Sequence, residues 1–364
     1  MKDTKKIIIY SILILLILIA IIGLFRYYAT IHSFIIKNTL KWHKYNSNNI
    51  EFFYLLPDKP KKIVFIIPDQ RMDKYWNTYN IETNMGLNLS YFLYQNNIIP
   101  IIYDREDAFK EAHIFYSKEK LKKQLLNLFN EFYDWKSKYY NHLEVILFAH
   151  GDGCTLAMMT LLEYPLTDKL ILSQCGYDNS LLDYYINVIF YTMEISSIEP
   201  EIIHLAKQEI ENWKKQNDFS IITEKEWQEI QKRYIEQKIH PDLIAFRKTI
   251  ARFQSPQNIS FLKEAKNIYF LKLIQSLIHK RIRIYHFISE KDEEMPENIL
   301  NALKKQYQTF NTKYYHLIIL KNTDHFLFYN DTKLSSPMEI LLHRNNPFKE
   351  FSSEFKEKLL KILL

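Results

Sequence analysis

The sequence contains few glycines and few cysteines, and both shortages narrow the kinds of site it can build. There are 5 glycines in 364 residues, against a usual frequency of about 7%. The two cysteines, Cys154 and Cys175, form neither a zinc-ligand spacing nor a disulfide framework. Both adjoin predicted strands, so we expect small hydrophobic core residues. The sequence predicts no metal site and no cofactor, and leaves the redox compartment open.

Strong charge of either sign is also missing. The 48 Lys and Arg against 42 Asp and Glu give a formal net charge of +6. No basic stripe and no nucleic-acid reader motif is present, so we expect no nucleic-acid partner. With 47% hydrophobic residues, the chain is able to bury a sizeable core as one large or two ordinary domains.

The N-terminus predicts a membrane anchor. An uncharged apolar run at 7–25 follows lysines at positions 2, 5 and 6, and it has about the ~20 residues that span a bilayer. No Ala-x-Ala cleavage site follows it. We therefore expect residues 1–25 to be a transmembrane signal anchor. The preceding lysines favour a single-pass protein of the bacterial cytoplasmic membrane, N-terminus inside and main domain outside.

Residues 26–48 form a predicted juxtamembrane segment rich in aromatic and basic side chains. Such a segment lies in the membrane interface or packs as a helix on the domain, and both interpretations stay open. The polar stretch 45–49 predicts the break before the globular part.

From residue 49 onward, predicted strands alternate with predicted helices. The apolar runs at 63–67, 98–103 and 169–173 and the strand from 145 are typical of strands buried on both faces. This β-α-β alternation predicts an α/β fold with a doubly wound, mostly parallel sheet. We assign 49–177 and 276–364 to its two parts, and 178–275 to an inserted helical cap.

The segment 145–158 predicts a strand, a tight turn and a helix. This is the layout of a nucleophile elbow, Gly-x-Ser-x-Gly, which lifts a serine above a parallel sheet. Here the five positions are Ala-His-Gly-Asp-Gly at 149–153, so Gly151 stands where the serine should be. Two of the five glycines fall in this turn, which indicates that its backbone geometry is required although the nucleophile is missing.

Two further candidates follow the last predicted strands. Asp292 comes after the strand ending at 288, and His325 after the strand ending at 320. The order nucleophile, acid, histidine is that of α/β-hydrolases. The acid would fix the histidine tautomer, and the histidine would act as base. Glu293 or Glu294 could replace Asp292.

Four motifs together resemble bacterial α/β-hydrolases of the serine-esterase or serine-aminopeptidase-like group with a helical cap, over roughly residues 50–364. Ala-His-Gly-Asp-Gly-Cys at 149–154 matches their Gly-His-Ser-Glu-Gly-Gly, and Tyr-Asp-Arg-Glu-Asp at 103–107 matches Tyr-Asp-Arg-Arg-Gly. Ser-Glu-Lys-Asp-Glu-Glu-Met-Pro at 289–296 matches Gly-x-x-Asp-x-x-Val-Pro, and His325 precedes an aromatic residue as theirs does.

The resemblance implies oxyanion-hole amides at Asp152 and about Gln70. Pro-Asp-Gln-Arg at 68–71 replaces a glycine-rich loop there, and a carboxylate at Asp69 or Asp152 would repel a developing oxyanion. Without a serine at Gly151, the acyl-enzyme of the family cannot form. The parts that acyl transfer needs are thus altered in two places, at the nucleophile position 151 and in the loop 68–71.

Three hypotheses follow. The first is a membrane-anchored pseudo-hydrolase that keeps a pocket for a small acyl-type ligand or a protein partner. The second is an active hydrolase of esters or amides with a displaced nucleophile, for which Asp152 is the alternative, as in dehalogenase-like relatives, or with a water activated by His325 and Asp292. The third is a structural envelope protein that reuses the fold.

Overall fold

The computed structural model describes most of the chain between residues 40 and 364. The described residues are 40–70, 73–74, 85–108, 116–176, 180–195, 198–216, 258–292, 297–310, 312–330 and 350–364. The predicted anchor at 1–25 and most of the predicted juxtamembrane segment lie outside them. In the described part, no helix is both long enough and apolar enough to cross a membrane.

Eight strands form one sheet in the order β1-β2-β4-β3-β5-β6-β7-β8. β1 pairs antiparallel with β2 and β2 antiparallel with β4, and every other pair is parallel. The predicted mostly parallel α/β sheet is confirmed. The strands are β1 Trp42–Ser47, β2 Ile50–Leu55, β3 Lys62–Ile67, β4 Ile98–Ile102, β5 Glu144–His150, β6 Lys169–Ser173, β7 Arg283–Ser289 and β8 Tyr315–Leu320.

Nine helices are described between and after these strands. They are α1 Met85–Gln95, α2 Lys118–Tyr139, α3 Gly153–Glu163, α4 Leu181–Ile195, α5 Pro200–Gln216, α6 Ile259–Ala265, α7 Phe270–His279, α8 Glu297–Thr309 and α9 Ser353–Leu363. The helices α4 to α7 lie between β6 and β7, where the cap is predicted, and residues 217–257 of that region are outside the described residues. Helix α7 crosses the predicted cap boundary at 275 and buries Phe270, Ile274 and Leu277 in the main core.

Both faces of the sheet are covered, which is why its central strands are apolar throughout. Phe65 of β3 packs in the cluster that includes α2 and α3 residues. Its neighbour Val64 packs in a second cluster with α1 and α9 residues. Successive side chains of a strand point to opposite faces, so each face receives its own helical layer.

For segment 26–48, the alternative of a helix packed on the domain is wrong at the described end, because Trp42–Ser47 form strand β1. β1 and β2 make a hairpin in which Asn48 (φ 51°) and Asn49 (φ 64°) occupy the turn. Two consecutive left-handed residues define the tight turn that matches strand twist, and asparagine tolerates that conformation. Tyr45 stacks on Phe52 across the hairpin at a ring-centroid distance of 4.6 Å. The polar stretch 45–49, predicted as a break before the globular part, is therefore the end of β1 and a turn within the sheet.

The structure also corrects the prediction for the cysteines. Cys154 in α3 and Cys175 after β6 form a disulfide, with Cα atoms 6.5 Å apart. Both are buried, as expected of core residues. The pairing was not predictable because the two positions meet through the parallel pairing of β5 and β6.

We expect the native protein to contain no free thiol, and the double variant Cys154→Ala/Cys175→Ala to be less stable. The cross-link closes a separation of 21 residues, for which the chain-entropy relation gives about 3 kcal/mol. Thiol titration in denaturant with and without reductant, and urea unfolding, measure both quantities. Two free thiols in unreduced protein would contradict the pairing.

Candidate active site

The turn after β5 has the backbone of a nucleophile elbow. Gly151 has φ +52°, a left-handed conformation that glycine adopts readily. Its N–H donates to the Ser173 carbonyl at 2.9 Å, which fixes the turn against β6. A Cβ on Gly153 would lie 2.7 Å from the Ile67 carbonyl oxygen, so the second glycine permits close approach of α3 and β3.

The carboxylate of Asp69 occupies the space where a side chain on residue 151 would stand. An ideal Cβ there would lie 2.5 Å from Asp69 Cγ and 2.7 Å from each carboxylate oxygen. Asp69 Oδ1 accepts hydrogen bonds from the backbone N–H of Gln70 and of Asp152, each at 2.6 Å. These are the two amides that the family resemblance implies for the oxyanion hole. A carboxylate of the chain itself therefore accepts from both of the amides that the resemblance implies for that role.

The candidate acid and base form a buried pair. His325 Nδ1 lies 3.0 Å from Asp292 Oδ1 and 3.1 Å from Oδ2, and the two residues are 2% and 1% exposed. The His325 ring contacts that of His150, the last residue of β5, at 5.0 Å between centroids. The pair therefore lies beside the elbow. Glu293 and Glu294 lie outside the described residues.

Asp152 belongs to a buried ionic cluster. Its Oδ2 accepts from Lys118 Nζ at 2.7 Å and from Arg105 Nη2 at 3.3 Å, and its Oδ1 accepts from the Tyr185 hydroxyl at 3.1 Å. Burial raises the pKa of this carboxyl, but the two cations outweigh burial and hold the pKa below its usual value. Oδ2 of this carboxylate is held by two cations and Oδ1 lies against a neutral hydroxyl, which weakens the carboxylate as a nucleophile. The geometry favours a structural role for Asp152 over the nucleophilic role that the sequence also allows.

The same cluster fixes the loop after β3. Arg105 Nη1 donates to the Pro68 carbonyl at 2.9 Å, while its other nitrogens bind Asp107 in a fork at 2.9 Å. The Tyr185 hydroxyl of α4, in the predicted cap region, also lies 2.7 Å from Gln70 Oε1. The motif at 103–107 was recognised in the sequence, but nothing in it indicated that its arginine holds this loop.

Gln174 joins the two loops that carry the acid and the histidine. It has φ 50° and is fully buried. Its Oε1 accepts from the Ser289 N–H at 2.9 Å, and its Nε2 donates to the Asp324 carbonyl at 3.1 Å. A lone glutamine after a strand gives no sequence signal for this role, because its partners lie more than a hundred residues away.

Two buried histidines stand behind the site. His286 Nε2 donates to the Cys175 carbonyl at 2.7 Å, and its Nδ1 accepts from the Tyr315 hydroxyl at 2.8 Å. Burial lowers the pKa of His286 to about 4. Burial, and then the neighbouring His325, also hold the pKa of His150 well below its usual value. Both rings are therefore neutral at neutral pH.

The elements and their order make this an α/β-hydrolase fold. The elbow follows β5, the acid follows β7 and the histidine follows β8, as in that fold. Among the described residues, no group of three His, Cys, Asp or Glu side chains is placed to hold a metal ion.

No family model matches the sequence, and no curated protein matches it either. Solved structures with a similar chain course include an esterase of Pyrococcus furiosus, 10% identical over 90% of this chain and 92% of that one, with a TM-score of 0.47. A thermostable carboxyl esterase of Bacillus coagulans in complex with glycerol is 11% identical over 89% and 99%, with a TM-score of 0.46. A putative lipase of Acinetobacter baumannii is 15% identical over 94% and 96%, with a TM-score of 0.44. At such values the likenesses assign this chain no activity and no substrate.

Replacing Lys118 by methionine should destabilise the fold by about 3 kcal/mol, because breaking a buried ion pair leaves an under-compensated charge on Asp152. Lys123→Met, at an exposed position of the same helix, is the matched control and should change stability by less than about 0.5 kcal/mol. Urea unfolding measures both. Equal effects of the two variants would argue against the ionic cluster.

The unfolding free energy should fall as the pH falls from about 6.5 towards 4. His286 has a folded pKa of about 4, whereas an unfolded histidine has about 6.5, so the unfolded state binds the extra proton in this window. This difference between the folded and unfolded pKa of His286 corresponds to about 3 kcal/mol of unfolding free energy. His286→Gln should flatten the pH dependence measured by urea unfolding, and His204→Gln, at an exposed position, should leave it unchanged.

Proposed function

We propose that this protein is a membrane-anchored α/β-hydrolase-fold protein that has lost serine-type hydrolysis of esters and amides and keeps a ligand-binding site beside its cap. The observation that carries this proposal is the position of Asp69. Its carboxylate takes the place of the nucleophile side chain at Gly151 and accepts both oxyanion-hole amides.

An acyl substrate needs those two amides for its carbonyl oxygen as negative charge develops there. Asp69 Oδ1 already accepts from both. A second oxygen carrying negative charge in the same place would be repelled, because two like charges a few ångströms apart interact unfavourably in a poorly solvated site. Loss of the serine and occupation of the hole are therefore two separate barriers to acyl transfer.

Retention of a ligand site is supported by the contacts that surround Asp69. The helix α4 reaches the site through Tyr185, whose hydroxyl lies within hydrogen-bond distance of both Gln70 Oε1 and Asp152 Oδ1. The acid–histidine pair is buried beside the elbow. A chain that reused the fold as an envelope scaffold alone would need none of these polar contacts, each of which must be satisfied away from water. The ligand is a small acyl-type molecule or a partner segment.

The anchored, extracytoplasmic location rests on the apolar run at 7–25 and the lysines before it. The Cys154–Cys175 disulfide adds support, because disulfides persist in oxidising compartments. Protease added to cells stripped of any outer envelope should degrade the main domain, and complete protection would contradict the location.

A second candidate function is favoured by one observation. Asp292 and His325 keep the geometry of an acid–base pair within 3.1 Å. Such a pair could direct a water at an ester or amide without a covalent intermediate. Asp69 weakens this candidate, because the water mechanism needs the same oxyanion-hole amides.

Ester hydrolysis by four proteins tests the proposal. The native protein should be inactive on acyl esters because Asp69 accepts from both amides. Gly151→Ser should be inactive as well, because its Cβ collides with the Asp69 carboxylate and disturbs the turn. The double variant Asp69→Gly/Gly151→Ser should gain activity, since it frees the amides and restores the hydroxyl beside His325. Adding His325→Ala to it should remove that gain, by about 10³-fold or more.

Two outcomes would contradict the proposal. Activity of the native protein that disappears in His325→Ala would support the active hydrolase. Full activity of the single variant Gly151→Ser would show that Asp69 does not block the oxyanion hole. Circular dichroism of each variant provides the folding control.

A further inference from the structure

A cleft of about 220 Å³ lies between the β1–β2 turn, the end of β4 and helix α2. In the sheet, β4 and β3 lie between β2 and β5, so this cleft is distinct from the site at the elbow. Its volume is below the roughly 300–1,000 Å³ of sites for drug-sized ligands, which limits an occupant to a small molecule. The polar residues that line it are Asn49, Glu51, Tyr103, Asp104 and Gln124.

Tyr103 forms a buried wall of this cleft. It is 2% exposed, and within the described part of the chain its hydroxyl has no hydrogen-bond partner. Leaving a buried hydroxyl unsatisfied is unfavourable, and phenylalanine would place the same ring beside Phe65 without that cost. Burial raises the pKa of Tyr103, so the hydroxyl stays protonated and able to donate. The chain thus carries at this cleft a hydrogen-bonding group that its own packing does not use.

The two carboxylates of the cleft are already neutralised. Glu51 forms an ion pair with Lys44, and Asp104 Oδ2 lies 2.7 Å from Lys74 Nζ. Because each negative charge has its own cation, a charged ligand gains little net Coulomb attraction here. A carboxylate oxygen has more than one lone pair, so both groups can still accept hydrogen bonds from a ligand.

The walls of the cleft are fixed by contacts within the protein. Glu131 of α2 holds the β1–β2 turn, because its Oε1 accepts from Asn48 Nδ2 at 2.7 Å and its Oε2 accepts from the Tyr45 hydroxyl at 3.1 Å. Gln124, also on α2, donates to the Asp104 carbonyl at 3.2 Å. A site whose walls are already in place loses less conformational entropy when a ligand binds.

We propose that this cleft binds a neutral, hydroxyl-rich molecule about the size of one sugar ring, with one of its hydroxyl groups bonded to Tyr103. A hydroxyl both donates and accepts, which matches the carboxylate and amide oxygens of the lining as well as the phenol. The apolar face of the ring packs on Ile50 and Leu128, which complete the lining. This site is additional to the one at the elbow and does not depend on the proposed function.

The test measures binding of D-glucose, D-galactose and myo-inositol to the full-length protein in lipid nanodiscs, by saturation-transfer NMR and calorimetric titration. The native protein should bind at least one of them. Tyr103→Phe should bind the same molecule about 10-fold more weakly, because one hydrogen bond is lost. Without ligand, this variant should be at least as stable as the native protein to urea, since it buries no unsatisfied hydroxyl. Tyr133→Phe, at an exposed position of α2, should bind as the native protein does.

Four results would overturn the inference. The first is that none of the three molecules binds to the native protein. The second is equal binding by the native protein and Tyr103→Phe, because the ligand would then lie elsewhere. The third is lower stability of ligand-free Tyr103→Phe, which would show that the fold itself uses the hydroxyl. The fourth is tighter binding of butylammonium than of all three, which would show a cation site. Ester hydrolysis is not measured here, so the proposed function and this inference fail independently.

Discussion

A single carboxylate oxygen governs the chemistry of this site. Asp69 Oδ1 accepts two backbone N–H groups, from Gln70 and Asp152, at 2.6 Å each. Such charge-assisted bonds are among the stronger ones in proteins, and they join the loop after β3 to the turn after β5. The absent side chain of Gly151 makes the room for this contact. The glycine at position 151 and the position of the Asp69 carboxylate therefore depend on each other sterically.

The ionic cluster beneath the elbow keeps that arrangement in place. Arg105 and Lys118 neutralise Asp152, so its carboxylate is held below the turn while its N–H remains directed at Asp69. Tyr185 extends the network into helix α4. A buried ion pair adds little net stability compared with apolar packing, but it fixes geometry strongly, because leaving one partner unpaired is costly. The main effect of the cluster is therefore to fix the position of Asp152, and its net contribution to the stability of the fold is smaller.

Several features could be predicted from the sequence because their cause is local. Apolar runs such as 63–67 indicated buried parallel strands, and the glycines at 151 and 153 indicated a tight turn. Two predictions failed for a shared reason. Strand β1 and the Cys154–Cys175 disulfide both depend on partners brought close by the sheet. A short amphipathic stretch takes its conformation from the partner it finds, which periodicity alone does not reveal.

By itself, the sequence determined the α/β alternation, the turn at Gly151 and the order in which Asp292 and then His325 come after that turn. Each is a matter of short-range pattern, since side-chain periodicity and backbone freedom act within a few residues. Tertiary structure alone decided that the carboxylate of Asp69 accepts from the Asp152 amide, because the two residues lie 83 positions apart in the sequence. A contact between residues so far apart in the sequence forms only when the strands that precede them pair in the sheet. The pairing of β3 with β5 therefore decides that Asp69 lies against the turn at Gly151.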